Sequence, residues 1–109
     1  DAYYRQARKV QTLVRRAYTK AFQEVDILVT PTALSTAFKI GEKVSDPLAM
    51  YLEDVLTVGV NVAGLPAVSL PCGEHEGLPV GLQLIGTHFA DGLVLSVAHA
   101  FEQYAANHS

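Results

Sequence analysis

Residues 46–86 read DPLAMYLEDVLTVGVNVAGLPAVSLPCGEHEGLPVGLQLIG, and they set the terms for everything else in the chain. Apolar runs this dense, punctuated by glycine-containing turns, describe a buried helix and two core strands. Elements of that kind need cover on more than one side. The 109 residues suffice for one domain with its own core. Yet 17% of the residues are charged, against ~25% in an ordinary globular domain. A small domain has much surface for its volume and needs polar residues to clothe it. The deficit therefore implies that part of the apolar surface faces other protein.

The remaining segments supply the partners of that block. Ala7, Val10, Leu13/Val14, Ala17/Tyr18, Ala21/Phe22 and Val25 recur at helical spacing with charges between them, which predicts an amphipathic first helix. Ile27 to Thr30 form a short β-rich run stopped by Pro31. An apolar strand fed by a helix is expected in an α/β sheet covered on both faces. A loop follows. Asp46-Pro47 then marks a helix start, with a capping carboxylate and a proline at the first helical position. Val58, Val60 and Val62 alternate as in a strand, but Gly64 and Pro66 are the stop signal expected just past a helix. A buried helix is the preferred reading of Val55–Ala63.

Ala67–Pro71 and Val80–Ile85 read as strands, with GEHEGLP joining them as a hairpin of longer loop. Asp91 is placed to cap a last helix, whose apolar face is Leu93/Val94, Val97/Ala98, Phe101 and Tyr104/Ala105. The expected order is helix, strand, buried helix, β-hairpin, helix. The fold class is α/β: a fragment of a large mixed β-sheet flanked by helices.

Charge is unevenly spread. Residues 1–25 hold six of the eight basic side chains, among them Arg15 and Arg16, and two of the eleven acids. A basic helix face can meet phosphate or an acidic partner; without interleaved aromatics, a solvated outer face is the plainer reading. No run of ~18 uninterrupted apolar residues is present, so no membrane association is expected. No secretory signal opens the chain. The single cysteine, Cys72, allows no internal disulfide; it reads as a small buried hydrophobe at a strand end.

Little of the sequence advertises chemistry. Its serines lack a nucleophile-elbow context, and Ser69 reads as a hydroxyl on a pleated strand face. His75, His88, His99 and His108 have no metal-ligand spacing, so neither a catalytic residue nor a metal ligand is assigned. Glu53 and Asp54 stand out as two carboxylates at the polar edge of an apolar segment. A carboxylate beside a buried helix can pair with an ammonium group in a water-poor pocket, where attraction is less screened. Helix capping or a surface salt bridge is the alternative.

DAYY…ARKV at 1–10, DILVTPTA at 26–33, the block from Asp46 to Gly73 and GLPVGLQLIG at 77–86 resemble the C-terminal end of amidase-signature enzymes. The resemblance covers practically the whole chain, residues 1–109. N-x-x-G-x-P followed by a strand and proline is shared across that family. D-P-L-x-M-Y-x-x-D-x-L-T is similar to its tRNA-dependent amidotransferase branch.

The resemblance implies a glutaminase that hydrolyses glutamine to glutamate and ammonia. The ammonia would pass to partner subunits of a heterotrimer, which use ATP and Mg to amidate a misacylated Glu-tRNA(Gln). It implies a bacterial cytoplasmic or organellar-matrix location. The family's Ser–cis-Ser–Lys triad and its substrate-carboxylate arginine match nothing here, so this stretch alone is expected to be inactive. One functional residue carries over: Asp54 matches the aspartate that binds the α-ammonium of the substrate glutamine. An unpaired buried carboxylate would penalise simple amides. The alternatives are a broad-spectrum amidase of the same family and a non-catalytic module binding tRNA or a partner subunit.

Overall fold

The computed structural model describes residues 2–33, 37, 39 and 55–108. Among them the chain forms α1 (Ala2–Ala21), β1 (Ile27–Pro31), α2 (Val55–Ala63), β2 (Ala67–His75), β3 (Leu78–Gly86) and α3 (Asp91–His108). The expected order of elements is observed. The helix start expected at Asp46-Pro47 lies outside the described residues.

The described strands make one sheet in the order β1-β3-β2, with both pairings antiparallel. Residues directly opposite in such a ladder share a face. Val29 pairs with Leu84, and Leu84 with Val68; Leu82 pairs with Leu70. These residues form one apolar face. α3 lies across it, burying Val94 and Ala98 against Leu70 and Leu84, with Val97 and Phe101 packed around them. The core sits here.

The other face carries Leu28, Thr30, Ser69, Gln83 and Ile85, by the same register. α2 covers it, burying Val60 and Ala63. α1 stacks outside α2: the Gln11 amide donates to the Val62 carbonyl at 3.0 Å. Both faces of the sheet are thus covered, as expected of so apolar a strand set.

α2 ends as the sequence indicates. The N–H of Leu65 donates to the Val60 carbonyl at 3.3 Å, and that of Gly64 to the Asn61 carbonyl at 3.1 Å. This is a Schellman closure, and Gly64 takes the left-handed conformation it requires, with φ 73°. The closure rescues carbonyls that the helix end would leave unpaired.

Four local expectations are corrected. The hairpin loop is short: β2 runs to His75 and β3 begins at Leu78, so only Glu76 and Gly77 turn the chain. Their φ values of 53° and 81° are those of a two-residue turn whose twist matches the strands. Cys72 is exposed, not buried. It is the extra residue of a bulge, because Pro71 pairs with Gly81 and Gly73 with Val80.

Asp91 does not cap α3; the Val94 N–H bonds the Ala90 carbonyl at 2.9 Å, which places Asp91 inside the first turn. There its charge favours the helix dipole instead. Finally, α1 uses only part of its apolar stripe. Gln11, Val14, Tyr18, Ala21 and Phe22 are half-buried, whereas Val10 and Leu13 stay exposed.

Candidate functional site

The site grows from the polar residues that interrupt the face beneath α2. β1 supplies Thr30 and, just past its end, Thr32. β2 supplies Ser69, and β3 supplies Gln83. Strand periodicity puts Thr30, Gln83 and Ser69 side by side across three strands, since Thr30 pairs with Gln83 and Gln83 with Ser69. Their side chains are tied together. Thr32 Oγ1 and Ser69 Oγ lie 2.7 Å apart. The Gln83 amide donates to Thr30 Oγ1 and to the Leu56 carbonyl, each at 3.1 Å.

Gly81 makes the hydroxyl pair possible. A Cβ there would sit 2.8 Å from Thr32 Oγ1 and 3.2 Å from Ser69 Oγ. Any larger residue would push the two hydroxyls apart. Above this surface, between it and α2, opens a hollow of ≈ 260 Å³. Thr32, Ser69 and Gln83 line it from below, and Thr57, Val60 and Asn61 from α2. Its described lining is polar but uncharged. It can orient a ligand by neutral hydrogen bonds, and a charge must come from elsewhere.

Ser69 lies on this surface, as read from the sequence, but its bonding partner is another hydroxyl. A hydroxyl is no base, so the pair does not constitute an activated nucleophile. Among the described residues no group of three or more His, Cys, Asp and Glu side chains could hold a metal ion. His75 reaches only Glu76, 4.0 Å away on the exposed hairpin tip. No helix among the described residues is long and apolar enough to cross a membrane.

Asp54, with Glu53 beside it, lies outside the described residues. In the chain it directly precedes Val55, where the described part of α2 begins. Gln83 and Thr32 were missed by reading the sequence. The available signal was the lone amide in the otherwise apolar run GLQLIG, which strand alternation puts on the face opposite Leu82 and Leu84.

Known proteins share this combination of a helix–sheet–helix stack with a D-x-L-T motif leading into the helix above the polar seam. The Amidase family profile matches residues 1–95, and the chain belongs to that family. The glutamyl-tRNA(Gln) amidotransferase A-subunit of Caldanaerobacter subterraneus is 59% identical over 103 residues, 94% of this chain and 21% of that protein.

Two crystal structures are similar. The glutamyl-tRNA(Gln) amidotransferase A-subunit of Thermotoga maritima superposes with a TM-score of 0.80 at 47% identity, over 85% of this chain and 20% of that one. A structure described as an amidase gives 0.81 at 27% identity, over 93% and 24%. The chain spans about a fifth of the length of the curated relatives it matches. The fold is therefore that of amidase-signature enzymes, a mixed α/β architecture.

Proposed function

We propose that this chain is the C-terminal part of an amidase-signature domain, residues 1–109, in the glutaminase subunit of a tRNA-dependent amidotransferase. The observation that carries the proposal is the 59% identity, over 94% of the chain, to the glutamyl-tRNA(Gln) amidotransferase protein of Caldanaerobacter. In this reading the whole enzyme hydrolyses glutamine. The ammonia passes to a partner subunit of a heterotrimer, where Glu-tRNA(Gln) becomes Gln-tRNA(Gln). The setting is the bacterial cytoplasm or an organellar matrix.

Asp54 is the substrate-binding residue this stretch contributes. Its carboxylate pairs with the α-ammonium of glutamine, and the neutral polar seam beside α2 leaves that pairing uncontested by other charges. The attraction gains strength where protein replaces water. Discrimination follows: a simple amide leaves the carboxylate unpaired and desolvated, which is costly. ATP and Mg2+ serve the amidation step. The described residues offer neither a carboxylate cluster nor a phosphate cradle for them, and no step is assigned to them in this stretch. The nucleophile and its lysine are likewise placed in the rest of the enzyme, so the 109 residues alone release no ammonia from glutamine.

The likeness to a solved amidase favours a second reading, a broad-spectrum amidase acting on small amides. One experiment separates the two. In the full-length enzyme, kcat/KM is measured for glutamine and for propionamide, with and without Asp54→Ala. A glutaminase prefers glutamine and loses that preference in the variant. Indifference to the substitution, with good turnover of propionamide, selects the amidase.

A further inference from the structure

Gln83 is an exception in its surroundings. It occupies β3, the central strand, in the run LQLI, and is only 4% exposed. A leucine there would fill similar space without a polar group to satisfy. Burying an amide is tolerable only when its hydrogen bonds are made, and a bond made in the interior is directional. Here both amide hydrogens are committed: one bond runs to Thr30 Oγ1 and one to the Leu56 carbonyl.

The chain of donors has a fixed sense. Thr30 Oγ1 donates to the Pro31 carbonyl at 2.9 Å, so it meets Gln83 with a lone pair. The Leu56 carbonyl belongs to the first described turn of α2. Thus β1 holds Gln83, and Gln83 holds the start of α2 at a set height and rotation above the sheet. Apolar packing alone would permit α2 to slide or roll, because dispersion contacts are non-directional. Two residues before Leu56 stands Asp54. Covalent geometry keeps their Cα atoms within ~7 Å of each other.

We infer that Gln83 is a positioning residue for substrate discrimination, fixing the start of α2 so that Asp54 meets the α-ammonium of glutamine. The inference rests on the reading of Asp54 as the ammonium-binding residue. Gln83 itself touches no substrate. It acts through the Leu56 carbonyl and the backbone that leads to Asp54.

The test uses the full-length enzyme and two probes, glutamine and glutaramate, which is glutamine without its α-amino group. The readout is the ratio of their kcat/KM values. Asp54→Asn lowers that ratio about ten- to a hundredfold, the range of a lost charge-assisted hydrogen bond. Gln83→Leu lowers it about three- to tenfold, through KM for glutamine, and leaves glutaramate turnover unchanged. The double variant is no worse than Asp54→Asn alone, because one residue acts through the other.

A merely structural role for Gln83 would depress both substrates together. That result, or an unchanged ratio in Gln83→Leu while Asp54→Asn collapses it, overturns the inference and leaves the Asp54 reading standing. An unchanged ratio in Asp54→Asn removes both. Should Gln83→Leu fail to fold, Thr30→Val decides the matter, since it withdraws the acceptor that holds Gln83. A ratio lowered about two- to threefold then supports the inference, and an unchanged one overturns it.

Discussion

The two faces of the sheet are built from the same three strands by opposite rules. Toward α3, Val68, Leu70, Leu82 and Leu84 meet Val94, Ala98 and Phe101 with no polar side chain in the contact. Toward α2, Thr30, Ser69 and Gln83 are tied by hydrogen bonds, and a hollow remains open. Apolar packing stabilises in proportion to buried area and tolerates small displacements. Hydrogen-bonded seams contribute little net stability but fix where things lie. The difference teaches that one face holds the fold together while the other sets the height of the helix that leads from Asp54.

That division can be broken by exchanging perturbations between the faces. Leu84→Ala strikes the fully packed face. It is expected to lower the local opening free energy of β3 by about 2–5 kcal/mol, read by amide hydrogen exchange in the full-length enzyme. Substrate discrimination between glutamine and a simple amide stays as it was. A loss of discrimination with intact exchange protection would erase the distinction between the faces.

Gly81→Ala strikes the polar face where space is tightest. The added methyl meets Thr32 Oγ1 at 2.8 Å. The expected cost is about 1–3 kcal/mol in the same exchange measurement, relieved by Thr32→Ser or Ser69→Ala in a double variant. Absence of any relief would show that the crowding lies elsewhere.

Gly64→Ala tests the closure of α2. Its φ of 73° suits glycine and disfavours alanine, so a loss of about 1–2 kcal/mol is expected for exchange at the C-terminal turn of α2. Val29→Thr gives the smallest effect. Val29 lies on the apolar face but beyond the reach of α3 and is 57% exposed, so a change within about 0.5 kcal/mol is expected. A larger loss would mean that the apolar face is covered further than α3 alone covers it.

Much of the fold was legible because its signals are local. The Gly64…Pro66 stop and the period of α3 each act within a turn or two. The hairpin was misjudged because GEHEGLP is rich in turn formers. Only Glu76 and Gly77 bend, and the polar residues on either side continue the ladder as exposed strand. Cys72 looked buried because it follows an apolar strand, but the bulge that expels it is set by pairing with β3 rather than by its neighbours.

The polar seam was the least legible part. Gln83 meets partners 53 and 27 residues away, and Thr32 meets Ser69 across 37. No local pattern encodes those distances. Asp54 was legible for a different reason: it was read from a family motif, which carries a role without carrying geometry.

The most direct test of the account is the selectivity of the full-length enzyme at Asp54. With folding matched between proteins by thermal unfolding, kcat/KM for glutamine relative to propionamide is compared in wild type and Asp54→Ala. The account predicts that the wild-type preference falls by about a hundredfold, through glutamine alone. A variant that keeps the wild-type preference would contradict it.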